Sequence, residues 1–215
     1  MDIDITEKIS RKEWLVYLQV NGKPDPALEA QLDEAEQLLI KNARPKAVYR
    51  VVDRSVIPMK GFSIQKHLEG CHHVAVMALT LGIGIDNLIK KKQVTDMAMA
   101  VILDSGASVL VDQLCNVYQM KIDEENDGFT TARFSPGYGD FPVQTQSTIV
   151  RLVDGQRKIG LNVNSNSLMI PRKSITALIG ISDHPVSGRL ATCGECVLRE
   201  KCTLKKEGRF CGEKI

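Results

Sequence analysis

The apolar positions fall into stretches of two different periods. Leu28, Leu32, Ala35, Leu38 and Leu39 recur at helical spacing. Asp25 before Pro26 is a good start for that helix, a carboxylate N-cap followed by proline at the first helical position. Arg44-Pro45 ends it. Upstream, residues 14–20 fit a short strand or helix, closed by the turn-like Asn21-Gly22-Lys23-Pro24. Residues 48–52 predict a strand, and residues 63–69 a short helix closed by Gly70. Residues 73–80 form a compact apolar run rich in Val, Ala and Leu, the pattern of a strand buried on both faces.

After that strand come Gly82-Ile83-Gly84 and a helix ending in Lys90-Lys91-Lys92. Strand, Gly-x-Gly and helix suggest a dinucleotide loop. The third glycine and the acidic residue after a second strand are missing, so that reading is set aside. Thr95 is placed to cap a long helix over residues 96–121, whose centre, Asp104-Ser105-Gly106-Ala107-Ser108, is made of small residues. Either two elements approach closely there or something binds. Residues 129–133 predict a strand and 143–154 a helix. Residues 159–163 and 167–170 predict short strands around an Asn/Ser turn, and 175–182 a further strand. Helices with non-alternating strands predict an α+β fold with a mainly antiparallel sheet.

One stretch fits neither period: Arg133-Phe134-Ser135-Pro136-Gly137-Tyr138-Gly139-Asp140-Phe141-Pro142. Ser-Pro-Gly-Tyr suits a type II turn, in which Pro136 fixes φ and Gly137 supplies a positive φ. Gly137 and Gly139 leave bare backbone for a ligand to approach. Arg133 can hold a carboxylate through two parallel hydrogen bonds. The ring of Tyr138 can attract a cation or stack on a flat base. The set suits a small ligand with an acid group, a positive centre and a heterocycle. A surface turn with a solvated arginine is the competing reading.

Arg-x-x-Pro-Gly-Tyr-x-x-x-Pro resembles the S-adenosylmethionine-binding stretch of the reactivation domain of cobalamin (vitamin B12)-dependent methionine synthase, in its stand-alone form. The likeness continues through Thr148-Ile149-Val150-Arg151-Leu152, Gly160-Leu161, Asn166-Ser167-Leu168-Met169-Ile170-Pro171 and Ser182-Asp183-His184-Pro185. It covers residues 133–184, with a looser match upstream at residues 63–71 and 79–82. The resemblance implies an S-adenosylmethionine seat. Arg133 would bind the carboxylate, the backbone of Ser135 and Gly137 the adenine or ribose, and Tyr138 would make the aromatic contact. Asp112, which follows the small-residue segment, would meet the ammonium. His184 could line the site. The family's tyrosine after His-Pro is absent, since Val186-Ser187-Gly188-Arg189 stand there.

The resemblance also implies a job. Oxidised cobalamin on a partner chain would be restored by one electron and a methyl group from S-adenosylmethionine. The implied partner is a cobalamin-bound methionine synthase lacking its own reactivation domain, or a related corrinoid methyltransferase. A flavodoxin or ferredoxin would donate the electron. The corrinoid-carrier pattern Asp-x-His-x-x-Gly is absent, which leaves cobalamin to the partner.

Four of the six cysteines crowd into the last 23 residues, as Cys193, Cys196, Cys202 and Cys211. Their spacing, C-x2-C-x5-C-x8-C, points to a metal-binding tail at residues 191–215 beside a reactivation-like domain at 1–190, whose first 45 residues or so are helical. Four thiolates suit an iron–sulfur (4Fe–4S) cluster or zinc, and a labile dithiol stays open. Arg199, Lys201, Lys205 and Lys206 would offset the thiolate charge. Cys71 and Cys115 read as buried hydrophobes, and His72 and His73 as one surface and one core histidine. His67-Leu68-Glu69 with a later Cys-x-x-Cys does not make a zinc deaminase, because the spacing is too long. The tail leaves room for a different function, an iron–sulfur electron-transfer protein or a metal-binding adaptor for a corrinoid enzyme.

Composition adds boundaries. Apolar residues are 43% and charged residues 25%, as in a globular protein. The net charge of +2 gives no reason to expect a nucleic-acid partner. Residues 1–14 alternate acidic and basic positions without an apolar core, so no secretory signal is expected. The apolar run at 74–85 is too short to span a bilayer. The expectation is a cytoplasmic protein with no membrane partner.

Overall fold

The computed structural model describes residues 2–5, 8–20 and 22–186. The cysteine tail, with Cys193, Cys196, Cys202 and Cys211, lies outside the described residues. The centre is a four-stranded antiparallel sheet in the order β1 (Lys46–Asp53), β2 (His73–Thr80), β6 (Ser174–Ser182) and β3 (Phe129–Thr130). Lys46 pairs with Thr80 across β1 and β2, and Thr80 with Ser174 across β2 and β6. A separate hairpin joins β4 (Asn162–Val163) to β5 (Met169–Ile170). Its turn is held by Asn164, whose Oδ1 accepts the N–H groups of Asn166 and Leu168.

Both faces of the sheet are covered, which explains the non-alternating pattern of β2. Ala75, Met77 and Leu79 of β2 meet α1 (Arg11–Tyr17), α2 (Pro26–Asn42), α4 (Ile83–Thr95) and α5 (Met97–Glu125) in one apolar cluster. Val74, Val76 and Ala78 point the other way. There they join α3 (Phe62–His67), α6 (Gln146–Leu152), α7 (Gly155–Ile159) and the 134–141 loop in a second cluster. The fold is therefore α+β, a mainly antiparallel sheet with flanking helices.

The helix ends follow local chemistry. Asp25 accepts the Leu28 N–H at 2.7 Å, as its sequence position predicts. The cap of α5 is Asp96, not Thr95: the Asp96 carboxylate accepts the Met99 N–H at 3.0 Å, while the Thr95 hydroxyl donates back to Lys91 O as the last residue of α4. Residues 14–20 resolve as the end of a helix, capped by Ser10. Ile159, expected to open a strand, closes the helical turn α7 between Asp154 and Gly160, both left-handed. His72 and His73 are both exposed, because β2 begins at the open end of the sheet. The buried histidine is His67.

The small-residue centre of α5 is a close approach. A Cβ on Gly106 would lie 2.2 Å from Cζ2 of Trp14. The indole is fully buried there, and its Nε1 donates to Ile102 O and Ser105 Oγ, each at 3.0 Å. Gly84 is likewise a packing glycine, since its Cβ would meet Asn42 O at 2.6 Å. By length and composition α5 could cross a bilayer, but 67% of its apolar window is buried inside the protein, which marks it as a core helix.

Candidate functional site

The strand entering the loop carries an extra residue. Thr130 pairs with Ile181 and Phe134 with Leu178, so Thr131, Ala132 and Arg133 stand opposite only Gly180 and Ile179. This is a bulge, and bulges re-aim side chains. Here it stops β3 at Thr130, short of the expected 133. From below, buried His67 supports it. Its Nε2 lies 2.9 Å from the Ala132 carbonyl and 3.0 Å from the Thr131 hydroxyl, and its ring is 4.7 Å from that of Phe134.

The Arg133 side chain lies against α5. Its Nη1 donates to Gln119 Oε1 at 2.8 Å and to Cys115 O at 3.3 Å, and its Nη2 to Asn116 Oδ1 at 2.7 Å. A guanidinium has five N–H donors. Among the described residues, three are engaged, which by count leaves the Nε–H and one Nη2–H. Donors left over on a guanidinium are what a ligand carboxylate would use. The arginine is thus neither loosely solvated nor saturated.

After the bulge, the chain turns as expected. Tyr138 N donates to Ser135 O at 3.0 Å and Gly137 has φ of 96°, as a type II turn requires. Nothing stands within 4 Å of where a Gly137 Cβ would be, so its backbone is open on that side. Gly139 is different: its Cβ would strike Ser63 Oγ at 2.3 Å, so it serves packing on α3. Phe134 is buried beneath the turn, 5.6 Å from the Tyr138 ring in an edge-on pair. Asp140 ends the loop by accepting the N–H groups of Phe62 at 2.6 Å and Ser63 at 2.8 Å at the start of α3.

Asp112 lies on the same face of α5 as Asn116 and Gln119, at i, i+4 and i+7. Its Oδ2 accepts a hydrogen bond from the Tyr17 hydroxyl at 3.2 Å. Burial pushes its carboxyl above the ordinary aspartate value, opposed by that hydrogen bond and by the positive charge of Arg133. Burial, then the Asp112 charge, pushes the Tyr17 phenol up to about 12. Asp112, Arg133, Ser135, Gly137 and Tyr138, scattered over 27 positions, thus gather around the middle of α5 and the adjacent turn. Sequence reasoning missed Tyr17, Asn116, Gln119 and His67. The repeat of polar residues at helical spacing on an otherwise apolar helix was the available signal for two of them.

The remaining candidates fall elsewhere. His184 packs against Gly70, with Nδ1 2.7 Å from Asp183 and 3.1 Å from the Ser182 hydroxyl. Cys71 and Cys115 are buried free thiols. Burial pushes the Cys115 thiol up to about 12, which makes it a poor nucleophile at neutral pH. No group of three or more metal-ligating side chains occurs among the described residues.

The sequence matches no protein-family model, and no curated protein matches it. A solved structure does match in three dimensions. It is described as the MetH reactivation domain bound to AdoHcy, and it superposes with a TM-score of 0.60 at 12% sequence identity, over 97% of this chain and 85% of that one. The fold is that of the MetH reactivation domain. At this identity the likeness speaks for the arrangement of helices and sheet, and residue roles rest on the geometry above.

Proposed function

We propose that this chain binds S-adenosylmethionine beside α5 and serves to reactivate a cobalamin-dependent methionine synthase, or a related corrinoid methyltransferase, carried on another chain. The observation that supports this most directly is the arginine held against α5 with two of its five donors left over by count, near an open Gly137 backbone. On this reading Arg133 takes the ligand's carboxylate and Asp112 its ammonium. The backbone of Ser135 and Gly137 lies along the adenosine, and Tyr138 covers it. Three complementary groups on two rigid elements fit an amino acid joined to a nucleoside. The fold it shares with a protein solved with AdoHcy supports the same choice.

The ligand supplies the methyl group, and S-adenosylhomocysteine is left. The protein's part is to hold the sulfonium in place and present its methyl to the partner's cobalt. An outside flavodoxin or ferredoxin supplies the electron. The tail cysteines Cys193, Cys196, Cys202 and Cys211 are proposed to hold an iron–sulfur cluster or zinc.

The test has two stages. Calorimetric titration with S-adenosylmethionine should show one site per chain. The protein with S-adenosylmethionine and a one-electron donor should then restore activity to an oxidised cobalamin-bound methionine synthase lacking its reactivation domain. Absence of binding at millimolar ligand overturns the proposal. Binding without restored activity limits it to the ligand and removes the partner.

A further inference from the structure

We propose that Tyr17 is a further ligand-binding residue of this site, whose ring selects a positively charged sulfonium over a neutral thioether. The inference rests on the reading of the site as an S-adenosylmethionine seat.

Tyr17 is the last residue of α1, and α1 does not need it as an anchor. Three positions earlier, Trp14 is fully buried against Gly106 and donates to Ile102 O and Ser105 Oγ. That contact fixes the helix on α5. Tyr17 remains 52% exposed, although its hydroxyl reaches the Asp112 carboxylate at 3.2 Å. Asp112 lies seven residues, about two turns, along α5 from Ser105. The two hydrogen-bonding contacts therefore follow α1 as it runs beside α5, one sealed in the core and one open to water.

A second half-exposed tyrosine stands close by. Tyr138 is 49% exposed, and the two phenols are near enough to influence each other electrostatically. Tyr17 thus touches a carboxylate that burial has partly stripped of water, with Tyr138 in its neighbourhood. Arg133, on the same side of α5, is already held by Gln119, Asn116 and Cys115 O. An anion with an aromatic ring beside it attracts a cation, because the ring face carries negative charge density. Such a pairing discriminates S-adenosylmethionine from S-adenosylhomocysteine by the positive charge that the extra methyl group brings to the sulfur. Release of the product follows from the same preference.

The experiment measures both affinities by calorimetry for the wild-type chain and for Tyr17→Phe, Tyr17→Leu and Tyr17→Ala. Melting curves confirm that each variant is folded. The leucine variant keeps apolar volume without a π face, so it serves even if the alanine variant fails to fold. The ratio of S-adenosylmethionine to S-adenosylhomocysteine affinity should fall about threefold to thirtyfold in the leucine and alanine variants, and stay within about twofold in the phenylalanine variant. A ratio that is unchanged in folded Leu or Ala variants overturns the inference alone, including the case in which both affinities drop together. A wild-type chain that binds neither ligand overturns the underlying reading and the inference with it.

Discussion

Asp140 and Ser63 hold each other across the gap between the site loop and α3. The Asp140 carboxylate accepts the Ser63 N–H at 2.8 Å, and the Asp140 N–H donates back to Ser63 Oγ at 3.4 Å. Gly61 and Gly139 make room, since a Cβ on either would strike the partner segment. The turn that carries Gly137 and Tyr138 is therefore tied at its far end to a helix on the body of the protein. Its near end is tied through the Arg133 bulge to β6.

That tie has a pH signature. The backbone N–H groups of Ser63 and then Phe62 hold the Asp140 carboxyl below the ordinary aspartate range. A carboxyl whose value is depressed in the folded state stabilises the fold fully above the unfolded value near 3.9, and loses that contribution as pH falls through the lower folded value. Asp140→Asn should therefore melt below the wild type at pH 7, and the difference should shrink below about pH 4. Melting curves from pH 3 to 8 check this. A constant difference across that range would show that the charge is not what holds the loop.

Arg133→Ala should weaken S-adenosylmethionine binding by about 1.5–3 kcal/mol, the size of a charged hydrogen bond. Stability should change less, because Gln119 and Asn116 can turn to water. Arg133→Lys should recover only part of the affinity, since an ammonium has no planar fork. Calorimetry on the three proteins decides it, and unchanged affinity in the alanine variant would remove Arg133 from the site.

Asp112 should trade stability for binding. Burial raises its carboxyl, so the charged form is disfavoured in the folded state. A raised carboxyl favours folding at low pH, and that advantage is lost as pH rises through its folded value. Asp112→Asn should accordingly melt at or above the wild-type temperature at pH 7 while binding S-adenosylmethionine more weakly. Wild-type affinity should also start to fall, on acidification, at a pH above the ordinary aspartate range. Parallel melting and titration series measure both; equal affinity in the asparagine variant would exclude an ion pair with the ligand.

Gly106→Ala tests the core. In an exposed helix this change stabilises by about 1 kcal/mol. Here the new methyl would sit 2.2 Å from Cζ2 and 2.4 Å from Cε2 of a fully buried Trp14. Overpacking of this kind costs about 1–3 kcal/mol, so the clash should win and the denaturation midpoint should fall. A higher midpoint would mean that the indole can shift aside.

The amino-acid sequence by itself determined what depends on neighbours in the chain. Asp25-Pro26 started α2 where expected, and the unbroken apolar run of β2 announced a strand covered on both faces. Ser135-Pro136-Gly137-Tyr138 made its turn, because proline fixes its own φ and glycine admits the positive φ that the next position needs. Local preference failed where one contact outvoted it. Thr95 lost the cap to Asp96, whose carboxylate reaches Met99 N–H, and Asp154 broke a helix by turning left-handed.

Tertiary structure alone decided which residues make the site. No spacing rule brings Tyr17 to Asp112 across 95 positions. That meeting follows from Trp14 finding the one gap in α5 where a glycine leaves room for an indole. Nor does any local rule aim Arg133 at Asn116 and Gln119. One extra residue opposite β6 does so, and it exists only once the strands have paired. Turns and helix starts are settled by a few adjacent torsions, whereas the environment of a charge is settled by whatever distant surface the packing brings beside it.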